Sequence, residues 1–115
     1  MVNKWSLYWA DLNPIRGSEQ AGTRPVLVIS NNMVNEVLPN VTVIPVSSMK
    51  QLTKIYPTEV FLSMEATSLP KPSVAMIHQI RTISKERIGA LCGVVHDEAI
   101  RQEIHRNIVQ YFGLL

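Results

Sequence analysis

The chain has 115 residues, of which 46% are hydrophobic and 17% charged, with a formal net charge of +2. That length builds one modest core and that composition excludes a disordered chain, so residues 1–115 read as a single domain. A small positive charge with no run of Lys or Arg permits an anionic partner without requiring one, so a nucleic-acid reading must rest on placed residues.

Met1 to Trp5 lack the charged start and apolar run of a signal peptide, which predicts a cytoplasmic chain. The longest apolar stretches fall far short of the roughly twenty residues of a transmembrane helix, which predicts a soluble one. Leu7–Leu12 is aromatic-rich, ends at Asn13-Pro14, and predicts a first strand. The polar segment Ile15–Thr23 holds two glycines and no apolar period, as a loop does. Pro25–Ser30 is nearly continuous in β-branched residues and predicts a buried strand. Asn31-Asn32 ends it, and Met33–Leu38 suits a short helical turn. Val41–Ser47 is the next strand; Pro45 cannot donate a ladder hydrogen bond, which predicts an edge or a bulge. Thr58–Leu62 alternates as a strand. After Lys71-Pro72, the run Val74–Ile83 predicts one long strand, although alternation is imperfect around Ile77-His78. Cys92, the single cysteine, lies in the apolar stretch Ala90–Val95; it excludes an intrachain disulfide, suits a reducing compartment, and reads as a small buried hydrophobe. Asp97 is an N-cap for a last helix on which Ile100, Ile104, Ile108 and Phe112 repeat every four residues as a packing face, with His105 on the polar side. Five or so short strands followed by one helix predict a mainly β fold: a small, strongly bent, barrel-like sheet with a helix against it.

Three places carry polar residues that strand and turn rules do not require. In the loop Gly17–Pro25, Arg24 stands at the mouth of a buried strand and offers a planar fork suited to phosphate; the structural alternative is that Arg24 and Glu19 pair on the surface. Ser47-Ser48 ends the strand marked by Pro45, where a hydroxyl can donate to a phosphate oxygen or simply serve a turn. His78-Gln79 sits in the predicted long strand; the imidazole is either a satisfied structural group or a proton carrier. His96, just before the last helix, reads as a capping or surface residue. No metal-ligand spacing, Gly-rich phosphate loop or nucleophile elbow occurs. Cleavage of RNA needs none of these, because the 2′-hydroxyl is its own nucleophile; the protein supplies a base, an acid and donors to the charged phosphorane.

The string Tyr8-Trp9-Ala10-Asp11-Leu12-Asn13-Pro14, followed by Gly17 through Ser30, resembles the opening of the MazF/PemK toxins. Val43–Ser48, Tyr56–Val60 and Gln79–Ile83 continue the likeness in the family's order, so that it spans most of the chain; Gly17–Pro25 is its most specific part. The resemblance implies an SH3-like β-barrel of the CcdB/MazF type with a C-terminal α-helix, forming a homodimer. It also implies sequence-specific cleavage of single-stranded mRNA without metal or other cofactor, and a cognate MazE-like antitoxin with a disordered tail. Under it, Arg24 is the catalytic arginine and Ser47 stands where many members carry a catalytic threonine. Glu19 or His78 takes the 2′-hydroxyl proton. Ser18 and Gln20 belong to the substrate-side loop, and Thr23, Ser48, Gln79 and Arg81 complete the expected RNA contacts. Two positions depart from the family pattern: Trp5-Ser6-Leu7 replaces a frequent Gly-Asp, and His78 replaces a frequent acid. A non-catalytic poison of DNA gyrase, resembling CcdB, and an inactive RNA- or antitoxin-binding module are the alternatives on the same fold.

Overall fold

The computed structural model describes residues 1–14, 16–19, 22–49 and 55–114. Seven strands form one antiparallel sheet: β1 (Ser6–Asp11), β2 (Thr23–Val28), β3 (Asn40–Ser48), β4 (Glu59–Leu62), β5 (Ser73–Met76), β6 (Arg81–Ser84) and β7 (Ile88–Val94). Helices α1 (Asn32–Val37) and α2 (Met64–Thr67) are single turns or little more, whereas α3 spans Glu98–Phe112. The sheet runs β4-β5-β3-β2-β1-β7, with β6 also on β3. Among the described residues the two ends, β4 and β7, do not pair, so the barrel is bent but not closed.

The sequence places alternating apolar residues on both faces of the central strands, and each face is buried. Leu7, Leu27, Ile44 and Val46 join Val60, Leu62 and Ile77 under Ile104 of α3. Tyr8, Ala10, Val26, Val28, Val41 and Val43 form a second cluster with Leu12 and Ile83. Helix α3 begins as its residues dictate: the Asp97 carboxylate accepts from Ile100 N at 3.1 Å, satisfying one of the orphan amides. It ends at Gly113, whose φ of 65° suits a residue without Cβ. Ile104 is fully buried and Ile100 and Ile108 pack beside it, but Phe112 is exposed and lies edge-on to Tyr111 instead.

β3 organises the sheet. Its first half pairs on opposite edges with β6, through Val43–Arg81, and with β2, through Val43–Val28. The β2 ladder stops at Val26–Pro45, and β3 continues against β5 through Val46–Ala75 to Ser48–Ser73. Pro45 is therefore not on an edge strand, as its missing donor suggests from sequence. It stands in an interior strand at the residue where one ladder ends. The run Val74–Ile83 is likewise not one strand: β5 ends at Met76, Ile77–Gln79 makes a 3-10 turn, and β6 starts at Arg81. The imperfect alternation at Ile77-His78 is that turn. β7, with exposed Leu91 and two glycines, lacks the alternation that marks a strand in sequence.

Trp5 takes φ 73°, a left-handed conformation natural to glycine. The strain is offset by what the residue touches. Its amide donates to Val28 O (2.9 Å), and its carbonyl accepts from Val95 N (2.8 Å). Lys4 Nζ and the Arg101 guanidinium lie 5.3 and 5.2 Å from the indole centroid, and the His105 ring 5.1 Å away. His105 thus serves packing, and partial burial, then the neighbouring Lys4 ammonium, hold its imidazole below its ordinary value. Trp5→Ala should lower stability by about 2 kcal/mol, a half-buried fraction of a core tryptophan's worth. Trp5→Gly should be no less stable than Trp5→Ala, because glycine releases about 1 kcal/mol of backbone strain. Denaturant unfolding of both variants checks the inversion; a glycine variant clearly weaker than the alanine one would contradict it.

Candidate functional site

Beyond Val26–Pro45, β2 and β3 part, and a cleft of ≈ 550 Å³ opens between their ends. Thr23, Arg24 and Pro25 border it from β2, and Val46, Ser47 and Ser48 from β3. The cause is local chemistry: Pro25 and Pro45 flank the point of divergence, and neither has an N–H to extend a ladder. The remaining wall is Trp9 of β1 and the segment Leu69-Pro70-Lys71 with Ser73. Among the described residues lining the cleft, Arg24 and Lys71 are cationic and none is acidic. Ser47 and Arg24 are half-buried; Ser48 and Thr23 are exposed. A groove with two cations, several hydroxyls and an indole suits a polyanion carrying flat bases.

A second group of polar residues is tied together outside this cleft. The turn Arg16–Glu19 is closed by Glu19 N donating to Arg16 O (3.2 Å), while the Glu19 carboxylate accepts from Arg16 N. Ser18 O accepts from Gln79 Nε2 at 3.5 Å, which joins this loop to the 3-10 turn after β5. In that turn His78 is exposed, and its Nδ1 lies 2.9 Å from Thr58 Oγ1. The loop base is closed by Leu12 N to Gly22 O (3.1 Å) and held by Arg87, whose guanidinium donates to the carbonyls of Asp11 and Asn13.

The model of PemK-like, MazF-like toxins of type II toxin–antitoxin systems matches residues 3–112. The chain belongs to that family. Its fold is similar to MazF from Deinococcus radiodurans, with TM-score 0.82, 26% identity, and 97% and 96% of the two chains covered. The same organism's MazE-MazF structure matches with TM-score 0.75, 26% identity, and coverage of 99% and 97%. An endoribonuclease in complex with its cognate antitoxin from Mycobacterial species matches with TM-score 0.80, 23% identity, and coverage of 100% and 98%. The chain is thus a MazF/PemK toxin of a toxin–antitoxin system with a MazF-like fold.

Of the toxin's sequence-derived site residues, Arg24, Ser47, Thr23 and Ser48 meet at the cleft. Ser18, Glu19, His78 and Gln79 form the second group, and half-buried Arg81 starts β6 opposite Val43. Gln20 lies outside the described residues. His78 is an exposed residue of the 3-10 turn and not of the long strand that the sequence predicts. His96 is exposed, as expected. Cys92 packs against the core, and burial pushes its thiol up, away from the nucleophilic form. Trp9, Lys71 and Arg87 escaped sequence reasoning. The first is hidden in a strand pattern, and the other two are surface cations until the fold gives them neighbours. The Pro-Lys-Pro string at 70–72 was the one available signal, since it holds a lysine on stiff backbone.

Among the described residues no three His, Cys, Asp or Glu side chains gather as a metal site, and no helix is long and apolar enough to cross a membrane.

Proposed function

We propose that the toxin is a sequence-specific, metal-independent endoribonuclease acting on single-stranded mRNA in the cytoplasm as a homodimer. The observation that carries this reading is the cleft, without an acidic residue among its described lining, in which Arg24 and Ser47 face a common space at the parted ends of β2 and β3. The scissile phosphate sits there, with the Arg24 guanidinium on its non-bridging oxygens and the Ser47 hydroxyl donating to the same group. The 2′-oxygen attacks phosphorus as its proton leaves, the bond to the 5′-oxygen breaks, and that oxygen takes a proton for which Arg24 is the donor at hand. The products are a 2′,3′-cyclic phosphate and a 5′-hydroxyl.

In this reading the 2′-hydroxyl proton goes to His78 of the second group, which requires the substrate ribose to lie between the cleft and the 3-10 turn. When its Nδ1–H donates to Thr58 Oγ1, Nε2 carries a free lone pair, the arrangement of a base held by an orienting partner. Glu19, whose carboxylate already accepts a backbone amide, shapes the loop rather than moving protons. Gln20 and Gln79 read bases, and Ser18, Thr23, Ser48 and Arg81 contact the strand. A cognate MazE-like antitoxin inhibits the toxin by ordering its disordered tail along the same groove.

Incubating the purified toxin with labelled RNA and excess EDTA tests the reading. Cleavage should persist, because the 2′-hydroxyl, Arg24 and Ser47 supply nucleophile and phosphate donors, and the ends should be cyclic phosphate and 5′-hydroxyl. Activity lost in EDTA and restored by Mg²⁺ or Mn²⁺ would overturn the mechanism. Absence of cleavage, with inhibition of gyrase instead, would overturn the enzyme.

A further inference from the structure

Resting on the ribonuclease reading, we propose that Lys71 and Trp9 form the wall of the cleft that holds the substrate strand next to the cleaved bond. Lys71 binds a neighbouring phosphate, and the Trp9 indole stacks on a base.

Lys71 is exposed at the cleft, yet its backbone is fixed. Pro70 and Pro72 bound it, and Met49 N donates to Pro72 O at 2.9 Å. The hydroxyl of buried Ser73 donates to Lys71 O at 3.0 Å. Met49 directly follows the cleft residues Ser47-Ser48, so the lysine segment is pinned to the strand end that carries the proposed phosphate donor. A cation on so stiff a mount loses little freedom on binding an anion. No carboxylate among the described lining residues competes for it.

Trp9 is 42% exposed although it sits in a central strand between two partners. Opposite it, β2 presents Pro25. On the other side the β1–β7 register shifts between Tyr8 and Ala10, and Gly89 passes the Trp9 carbonyl where a Cβ would come within 3.1 Å. Such a bulge re-aims a side chain. Here it leaves a large indole at the cleft instead of in the core, where a strand tryptophan would bury its area. An exposed aromatic beside two cations is the surface on which single-stranded bases stack, whatever their identity.

The test uses 2′-O-methyl RNA of randomised sequence, which has no 2′-hydroxyl to attack, so that binding is read without cleavage. Anisotropy is measured from 50 to 200 mM salt, with cleavage of unmodified RNA assayed in parallel. Lys71→Ala should weaken binding roughly 5- to 10-fold at the lowest salt and flatten the log–log salt slope by about 0.7, one phosphate contact on a single strand. Lys71→Arg should restore the slope. Trp9→Leu should weaken binding roughly 5- to 100-fold with the salt slope kept, and Trp9→Phe should recover part of the loss. Unchanged affinity and slope in the Lys71 and Trp9 variants, with wild type cleaving RNA, would overturn the inference and leave the ribonuclease reading intact. Wild type that binds through both residues but does not cleave would sink the ribonuclease reading alone. If only an Asp/Glu-rich peptide loses affinity in these variants, the wall serves a protein partner and the inference fails.

Discussion

Arg24→Ala should slow cleavage by roughly three orders of magnitude while the protein stays folded. The guanidinium is the cleft's cation on the strand end that faces Ser47, and removing one donor aimed at developing phosphorane charge costs about 10²- to 10³-fold. Loss of the proton donor to the leaving oxygen adds to this. The fold should survive because the backbone pairing Ala10–Arg24 is independent of the side chain and Arg24 belongs to neither core cluster. Arg24→Lys should also lose most activity, since a point charge cannot reproduce a bidentate fork. Single-turnover rates with far-ultraviolet circular dichroism decide the matter: near-normal cleavage by folded Arg24→Ala removes the residue from the chemistry.

His78→Ala should cost roughly two to four orders of magnitude, the usual worth of a positioned base, and Glu19→Gln should be comparatively mild. The contrast follows from what each side chain already does: Thr58 orients the imidazole without blocking both nitrogens, whereas the Glu19 carboxylate holds a turn amide. Single-turnover rates of both variants make the comparison. A severe Glu19→Gln with a mild His78→Ala would return the base role to the loop and leave His78 as a base-reading group.

Much of this was legible in the chain. The continuous β-branched run in β2 predicts a buried strand, and Val26, Leu27 and Val28 are fully buried. Asp97 and the Ile100–Ile104–Ile108 stripe locate α3 because capping and amphipathic spacing are local rules. The likeness carried by Gly17–Pro25 points to the family that the match over residues 3–112 establishes. β7 was not legible: its burial comes from α2 and β1, with Gly93 packed so close that a Cβ would meet Thr67 O at 2.6 Å. Nor was the break at Ile77–Gln79, because a 3-10 turn among apolar residues keeps the composition of a strand.

The amino-acid sequence by itself determined the fold class, the family and the two groups nearest the proposed chemistry, Arg24 and Ser47, since period, turn residues and motif are properties of neighbours along the chain. Tertiary structure alone decided which strand ends border the cleft. It opens where the β2–β3 ladder ends at Val26–Pro45, with Pro25 and Pro45 beside that last pair. The same long-range pairing brings Trp9 and Lys71, distant in sequence, to one wall, and ties Gln79 and Ser18 into a separate group. Register between strands is set by packing across the whole sheet, and no local pattern encodes which residues it will set face to face.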